Sequence, residues 1–134
     1  MYWLFKTEPG DYSFNDLVRE RQTVWSGVRN ALARANLRKV EPGDEIFIYH
    51  TGKEKAIIGV AQAVSTSYER EDGETAVDIT PKYALTNSIS LATIKEVKQF
   101  ASWDLVRLPR LSVMQVTPDD WFALHEMARQ PENA

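Results

Sequence analysis

Glu41-Pro42-Gly43-Asp44, followed by Glu45-Ile46-Phe47-Ile48-Tyr49, is the stretch from which the architecture is read. Proline fixes the first central φ of a tight turn and glycine supplies the second, so the chain reverses and leaves as a strand over 45–49. Residues 56–67 alternate as a second strand, with Gly59 predicted as a bulge or a point of close approach. The charged segment 68–74 carries Asp72-Gly73, a hairpin turn signal, and 75–80 returns as a third strand. Strands in hairpin succession favour a mixed, curved sheet over a doubly wound parallel one, and a small α+β barrel is the economical architecture.

The flanks supply further elements. Residues 2–6 read as a short apolar strand closed by the turn Glu8-Pro9-Gly10-Asp11. Ser13 with Asp16 forms a capping-box pattern that opens a helix through Val18. A second helix is predicted over 28–37, with Val28, Leu32 and Ala35 on one face and Asn36 as its stop. Helical spacing over 89–100 rests on Ile94 and Val97, and 111–116 is the last strand. Thr117-Pro118-Asp119-Asp120 is the clearest helix start: threonine caps, proline fills the first position and the acids face the positive end of the dipole. That helix is expected to run to Arg129, with 130–134 as a frayed tail. No repeat or linker interrupts the pattern, and the expected organisation is one domain over 1–134.

Composition narrows the chemistry. The chain has 134 residues, no cysteine and two histidines, so thiol nucleophiles and cysteine-based metal sites are excluded, and neither a metal nor a cofactor is expected. No basic leader and no apolar run approaching ~18 residues is present, which leads to the expectation of a soluble, cytoplasmic protein without membrane contact. A monomer is expected at this size. The net charge of −3 argues against a general duplex-coating protein. The charge is uneven, however: between positions 19 and 39, Arg19, Arg21, Arg29, Arg34, Arg38 and Lys39 face Glu20 alone. Such a patch on an acidic molecule suits contact with a few phosphates. A lopsided solvated helix explains it equally well.

Within this basic stretch lies Trp25-Ser26-Gly27-Val28-Arg29-Asn30. An aromatic plate stands where a strand or loop gives way to a helix, beside a glycine that permits a positive φ or close approach. A π-face next to free N–H groups and a guanidinium suits a nucleobase or a phosphate. The plainer reading makes Trp25 a core residue and Arg29 and Arg34 solvated charges. Trp3 and Trp121, on a strand and an apolar helix face, read as core.

Taken in order, Tyr2-Trp3-Leu4-Phe5-Lys6-Thr7-Glu8-Pro9, Trp25 to Asn30, Arg34 with Asn36, Gly43-Asp44 before Phe47-Ile48-Tyr49-His50, Gly59-Val60-Ala61, Val77-Asp78 and Arg110-Leu111-Ser112-Val113-Met114 resemble an EVE domain, a family of the PUA-like superfamily. The resemblance covers nearly the whole chain. It implies a PUA-like mixed β-barrel with peripheral helices, and a pocket related to that of YTH domains. It further implies a nucleic-acid-binding module, with DNA or RNA as partner, that recognises a modified base, in this family a modified cytosine in DNA. Trp25 and Ser26 would wall that pocket, Lys6, Thr7 and Glu8 would offer hydrogen bonds to the base edge, and Arg29, Asn30, Tyr49 and His50 would border it. Arg34, Arg38 and Arg110 would contact phosphates. Two departures stand out. Many members carry a longer loop ending in a tryptophan where this chain has the short segment 68–76, leaving Tyr68 as the nearby aromatic; and the family's usual Tyr-Gln after Arg-Asn is Ala31-Leu32 here.

Lys6, Thr7 and Glu8 also admit a catalytic reading, because a lysine, a hydroxyl and a carboxylate can make a nucleophile with its base. The related ASCH domains share the fold, and some act as amidohydrolases on acylated cytidine through such residues. Strand alternation places Lys6 and Glu8 on one face and Thr7 on the other unless the strand ends first, which disfavours a contiguous triad. Arg110 and Ser112 either line the barrel mouth or balance nearby acids.

Overall fold

In the computed structural model, which describes residues 1–129, the elements alternate as expected from the sequence, around one mixed sheet. The strands are β1 (Tyr2–Thr7), β2 (Thr23–Trp25), β3 (Glu45–His50), β4 (Ala56–Ala63), β5 (Tyr68–Glu69), β6 (Thr75–Ser90) and β7 (Val113–Val116). The helices are α1 (Phe14–Glu20), α2 (Ala31–Leu37), α3 (Leu91–Lys95), α4 (Asp104–Arg107) and α5 (Pro118–Arg129), with a 3-10 turn at Lys98–Phe100. The sheet runs β2-β6-β4-β3-β1-β7, with β5 paired to β6 as a short hairpin. β1 lies parallel to β3 and antiparallel to β7, and the remaining described pairs are antiparallel. The sheet curls into a half-barrel, an α+β arrangement of the PUA-like kind.

β1 is covered on both faces, which explains why Trp3, Leu4 and Phe5 are all fully buried. On one face Tyr2 stacks on Trp121 of α5 at 4.4 Å between ring centres, and Phe47 meets the same indole at 4.1 Å. On the other, Phe5 leans on Trp25 of β2 at 5.5 Å. Alternation along the strand sets Trp3 beside Phe5 on that inner face, where its indole N–H donates to Asp44 at 2.9 Å. Trp3 and Trp121 are therefore core residues, as their positions in the sequence suggest.

Local signals translate directly. The Asp44 N–H closes the Pro42-Gly43 turn onto the Glu41 carbonyl at 3.0 Å, with Gly43 at φ +92°. Ser13 and Asp16 make both bonds of the capping box. Gly59 sits where the β4 register shifts, and an ideal Cβ there would lie 2.6 Å from the Phe14 ring, so the bulge and the close approach both hold. Thr117 caps α5 through the Asp120 N–H at 3.2 Å.

Three predicted elements are corrected. The third strand does not stop at Thr80: β6 continues to Ser90, because Pro81 falls where its pairing with β4 shifts register and a missing N–H breaks no ladder. The helix expected over 89–100 is consequently one turn, α3, capped by Ser90, followed by the 3-10 turn. α2 begins at Ala31 rather than Val28, since the Asn30 Oδ1 accepts the Ala33 N–H at 3.0 Å and makes Asn30 the N-cap. This rotates the buried face to Ala33 and Leu37, while Leu32 is left exposed. The tail at 130–134 lies outside the described residues.

Candidate functional site

A cavity of about 440 Å³ opens where β1 and β2 end, on the inner side of the half-barrel. Lys6, Thr7 and Glu8 line it from β1 and the following turn, Asp11 and Tyr12 from the segment before α1, Thr23 to Arg29 from β2 and its loop, and Ser112 from the approach to β7. Trp25 is 8% exposed, more enclosed than an open plate, and what remains accessible of it belongs to the cavity wall. Its indole is braced by Phe5 and by the ring of Tyr12, which stands edge-on at 6.2 Å with an interplanar angle of 79°.

Tyr12 is the aromatic partner that the sequence did not single out. It reaches the cavity because the Glu8 turn folds back, with the Asp11 and Tyr12 N–H groups both bonded to the Glu8 carbonyl at 2.9 Å, and because the Thr7 hydroxyl donates to the Tyr12 carbonyl at 2.6 Å. Its phenol donates to Glu20 at 2.6 Å; burial and that carboxylate raise its pKa. Tyr68, the expected replacement aromatic, instead lies on β5 with its hydroxyl donated to Asp78 at 2.6 Å, and is not among the residues lining the cavity.

The polar groups of the β1 end have separate partners. Lys6 Nζ donates to the Pro109 carbonyl at 3.0 Å and lies 5.6 Å from the Tyr49 ring centre, and burial lowers its pKa. Glu8 accepts from the Gly10 N–H at 3.1 Å and from the Thr51 hydroxyl at 3.3 Å. Because β1 ends at Thr7, all three of Lys6, Thr7 and Glu8 reach the cavity, yet none hydrogen-bonds another. The arrangement offers a charged donor, a hydroxyl and a carboxylate around a cavity with an aromatic wall, not a nucleophile held against its base.

The structure separates the other expected residues. Ser26 accepts from Arg70 Nη1 at 3.1 Å, and the Gly27 N–H donates to Glu74 at 3.0 Å, so the β5–β6 hairpin pins this loop. Gly27 is at φ +78° with open space around its Cβ position, and the positive φ, not close approach, is what requires glycine. Asn30 caps α2 and lines an adjoining cavity instead. Tyr49 is buried behind Lys6. His50 is a structural link: its Nε2 accepts the Phe14 N–H at 3.0 Å, which leaves the proton on Nδ1 for Glu54 at 2.8 Å.

The arginines divide in the same way. Arg34 donates to the Gly73 carbonyl at 3.4 Å and Arg38 pairs with Glu69 at 3.4 Å, so the hairpin holds both. Arg34 Nε is buried without a partner, in the wall region facing a further cavity of about 470 Å³ shared with Arg29, Asp72 and Glu74. Arg29 and Arg110 are exposed, and neither side chain has a hydrogen bond or ion pair among the described residues. Among those residues no cluster of three His, Asp or Glu side chains could hold a metal ion.

The EVE domain family matches residues 1–127. The chain belongs to the EVE domain family. Curated relatives include an uncharacterised protein of Schizosaccharomyces pombe, 30% identical over 130 residues, which covers 81% of this chain and 54% of that protein. Human thymocyte nuclear protein 1 is 37% identical over 79 residues, half of this chain and 35% of its own length. The chain thus spans about half or less of the curated relatives it matches. A crystal structure of human THYN1 protein in complex with DNA containing 5-methylcytosine superimposes with a TM-score of 0.89 at 26% identity, covering 97% of this EVE domain and 98% of that chain. An ASCH protein of Zymomonas mobilis shares the fold alone, with a TM-score of 0.61 at 17% identity over 94% of each chain.

Proposed function

We infer that this EVE domain binds nucleic acid and reads a modified base, a modified cytosine in DNA, in the cavity walled by Trp25 and Tyr12. The observation that carries the reading is the slot itself: two aromatic rings at right angles beside Lys6, Thr7 and Glu8 at a strand end, in a fold also seen with 5-methylcytosine-containing DNA bound. A base must leave its stack to enter, at a cost of a few kcal/mol. Contact with an aromatic wall returns roughly 1–3 kcal/mol per base. Because Trp25 is largely enclosed and presents only part of its ring, the edge contacts from Lys6, Thr7 and Glu8 carry a larger share of the recognition. The domain acts as a cytoplasmic monomer, and as a binder without turnover.

Binding of short oligonucleotides with and without 5-methylcytosine tests this. Methylated DNA binds more tightly, and Trp25→Phe, which keeps the packing on Phe5 but shrinks the wall, narrows the difference. Equal affinity for both oligonucleotides, or a preference indifferent to Trp25→Phe, refutes the reading. Incubation with N4-acylated cytidine covers the hydrolytic alternative: steady release of cytidine that vanishes in Lys6→Ala would replace binding by catalysis.

A further inference from the structure

A second cavity of about 320 Å³ adjoins the first and differs from it in chemistry. Leu32, Leu108, Pro109 and Leu111 give it an apolar lining, while Asn30 and Arg110 supply the polar groups. The two cavities are lined by consecutive residues of the same two segments. Arg29 and Ser112 line the first, and their chain neighbours Asn30 and Leu111 line the second. The hydrogen bond from Lys6 Nζ to the Pro109 carbonyl joins a residue of one to a residue of the other, so a half-buried ammonium sits on the ridge between them.

We propose that this second cavity seats the nucleobase next to the modified one, so that the domain reads a step of two nucleotides. It rests on the base-reading role of the Trp25 cavity. Once a base enters the first cavity, its neighbour on the same strand is unstacked and follows within one phosphodiester. An apolar seat beside the first gives that neighbour's faces a replacement for its lost stacking, here from leucines and a proline ring in place of an aromatic platform. The charges are placed for the link between the two bases: an ammonium with donors to spare on the ridge, and two guanidinium groups, Arg29 and Arg110, at the flanks with no partner among the described residues. The Asn30 Oδ1 is occupied by the Ala33 N–H, which leaves the Nδ2 protons for an acceptor on the neighbouring base edge. Leu32 stands 49% exposed at this rim, a large apolar side chain that the fold itself does not need to bury.

Trinucleotides with a central 5-methylcytosine flanked by thymidines provide the test, compared with the same molecules made abasic on the 5′ or the 3′ side. Removing one flanking base, and not the other, weakens binding about fivefold to tenfold, the low end of a single-base stacking contact. Leu32→Ser weakens the intact trinucleotide comparably, has no effect once that flanking base is absent, and leaves the preference for methylated over unmethylated cytosine in place. Leu32 lies in the first turn of α2 and its exposure makes the variant safe for folding. Equal affinity for intact and abasic trinucleotides, or a loss in Leu32→Ser that persists with the abasic ligand, overturns the second seat while the methyl preference survives. Loss of the methyl preference in the unaltered protein overturns the base reader itself, and the second seat with it.

Discussion

Replacing Gly59 by alanine probes the contact that fixes α1 against the sheet. An ideal Cβ at position 59 would lie 2.6, 2.7 and 2.8 Å from the Cζ, Cε1 and Cε2 atoms of Phe14, about 1 Å inside the ~3.5–4.0 Å optimum for carbon contacts. The Phe14 ring cannot swing clear, since it is 2% exposed and its backbone N–H is held by His50 at 3.0 Å. Overpacking of this kind costs about 1–3 kcal/mol, against which the stiffer unfolded chain returns about 0.4–1 kcal/mol. Gly59→Ala is therefore expected to lose about 1–2 kcal/mol, which lowers the urea midpoint by roughly 0.5–1 M at an unchanged slope. Phe14→Leu makes room for the methyl group, so the double variant is less destabilised than the sum of the single ones, with a coupling of about 0.5 kcal/mol or more. An unchanged or raised midpoint in Gly59→Ala, or strict additivity in the double variant, refutes the packing argument.

The other expectations are quickly put. Burial alone would raise the Asp44 pKa, but bonds from the Trp3 indole and the Glu41 N–H outweigh it and hold it below the ordinary carboxylate range. Its contribution is thus present above about pH 4 and lost as pH falls through the lowered value, so the fall in stability seen by urea denaturation below about pH 4 is shallower in Asp44→Asn. Tyr12→Phe removes the bond to Glu20 but keeps the ring on Trp25, and oligonucleotide titrations should show affinity retained there and reduced in Tyr12→Ala; equal losses would place the function in the hydroxyl. With Arg34 and Arg38 held by the hairpin, Arg29, Arg110 and Lys6 are the cations that line the two cavities among the described residues, and contact of these three with phosphates gives log K against log salt a slope of about −2 to −3. Arg29→Ala makes that slope shallower by about 0.7–0.9, whereas Arg38→Ala leaves it unchanged.

What the sequence discloses here is what a few adjacent residues decide. The Pro42-Gly43 turn, the Ser13–Asp16 box and the Thr117 cap each rest on contacts within a few positions or on a backbone demand that one residue type meets. Where partners are remote, the reading fails. Nothing local says that Pro81 will meet a shift in register, so a 16-residue strand is cut to its first part. Tyr12 looks like a turn residue until the chain returns thirteen positions later with Trp25 to face it. The basic stretch looks free until a hairpin, 39 positions beyond Arg34 and 31 beyond Arg38, takes both guanidinium groups.

That hairpin also explains how a domain with net charge −3 can carry a dense basic segment without a broad cationic track. Glu69 and the Gly73 carbonyl engage Arg38 and Arg34, Glu74 holds the Gly27 N–H, and Arg70 reaches back to Ser26. The same contacts shape the cavity loop and withdraw charge from it. Proteins that neutralise 6–10 phosphates owe much of their affinity to counterion release; the three cations lining the cavities cannot supply that term. On the reading proposed above, affinity for unmodified duplex is therefore expected to be weak, and the free energy of a complex comes from what enters the two cavities. Selectivity follows from that balance, because a ligand lacking the preferred base has little electrostatic attraction to fall back on.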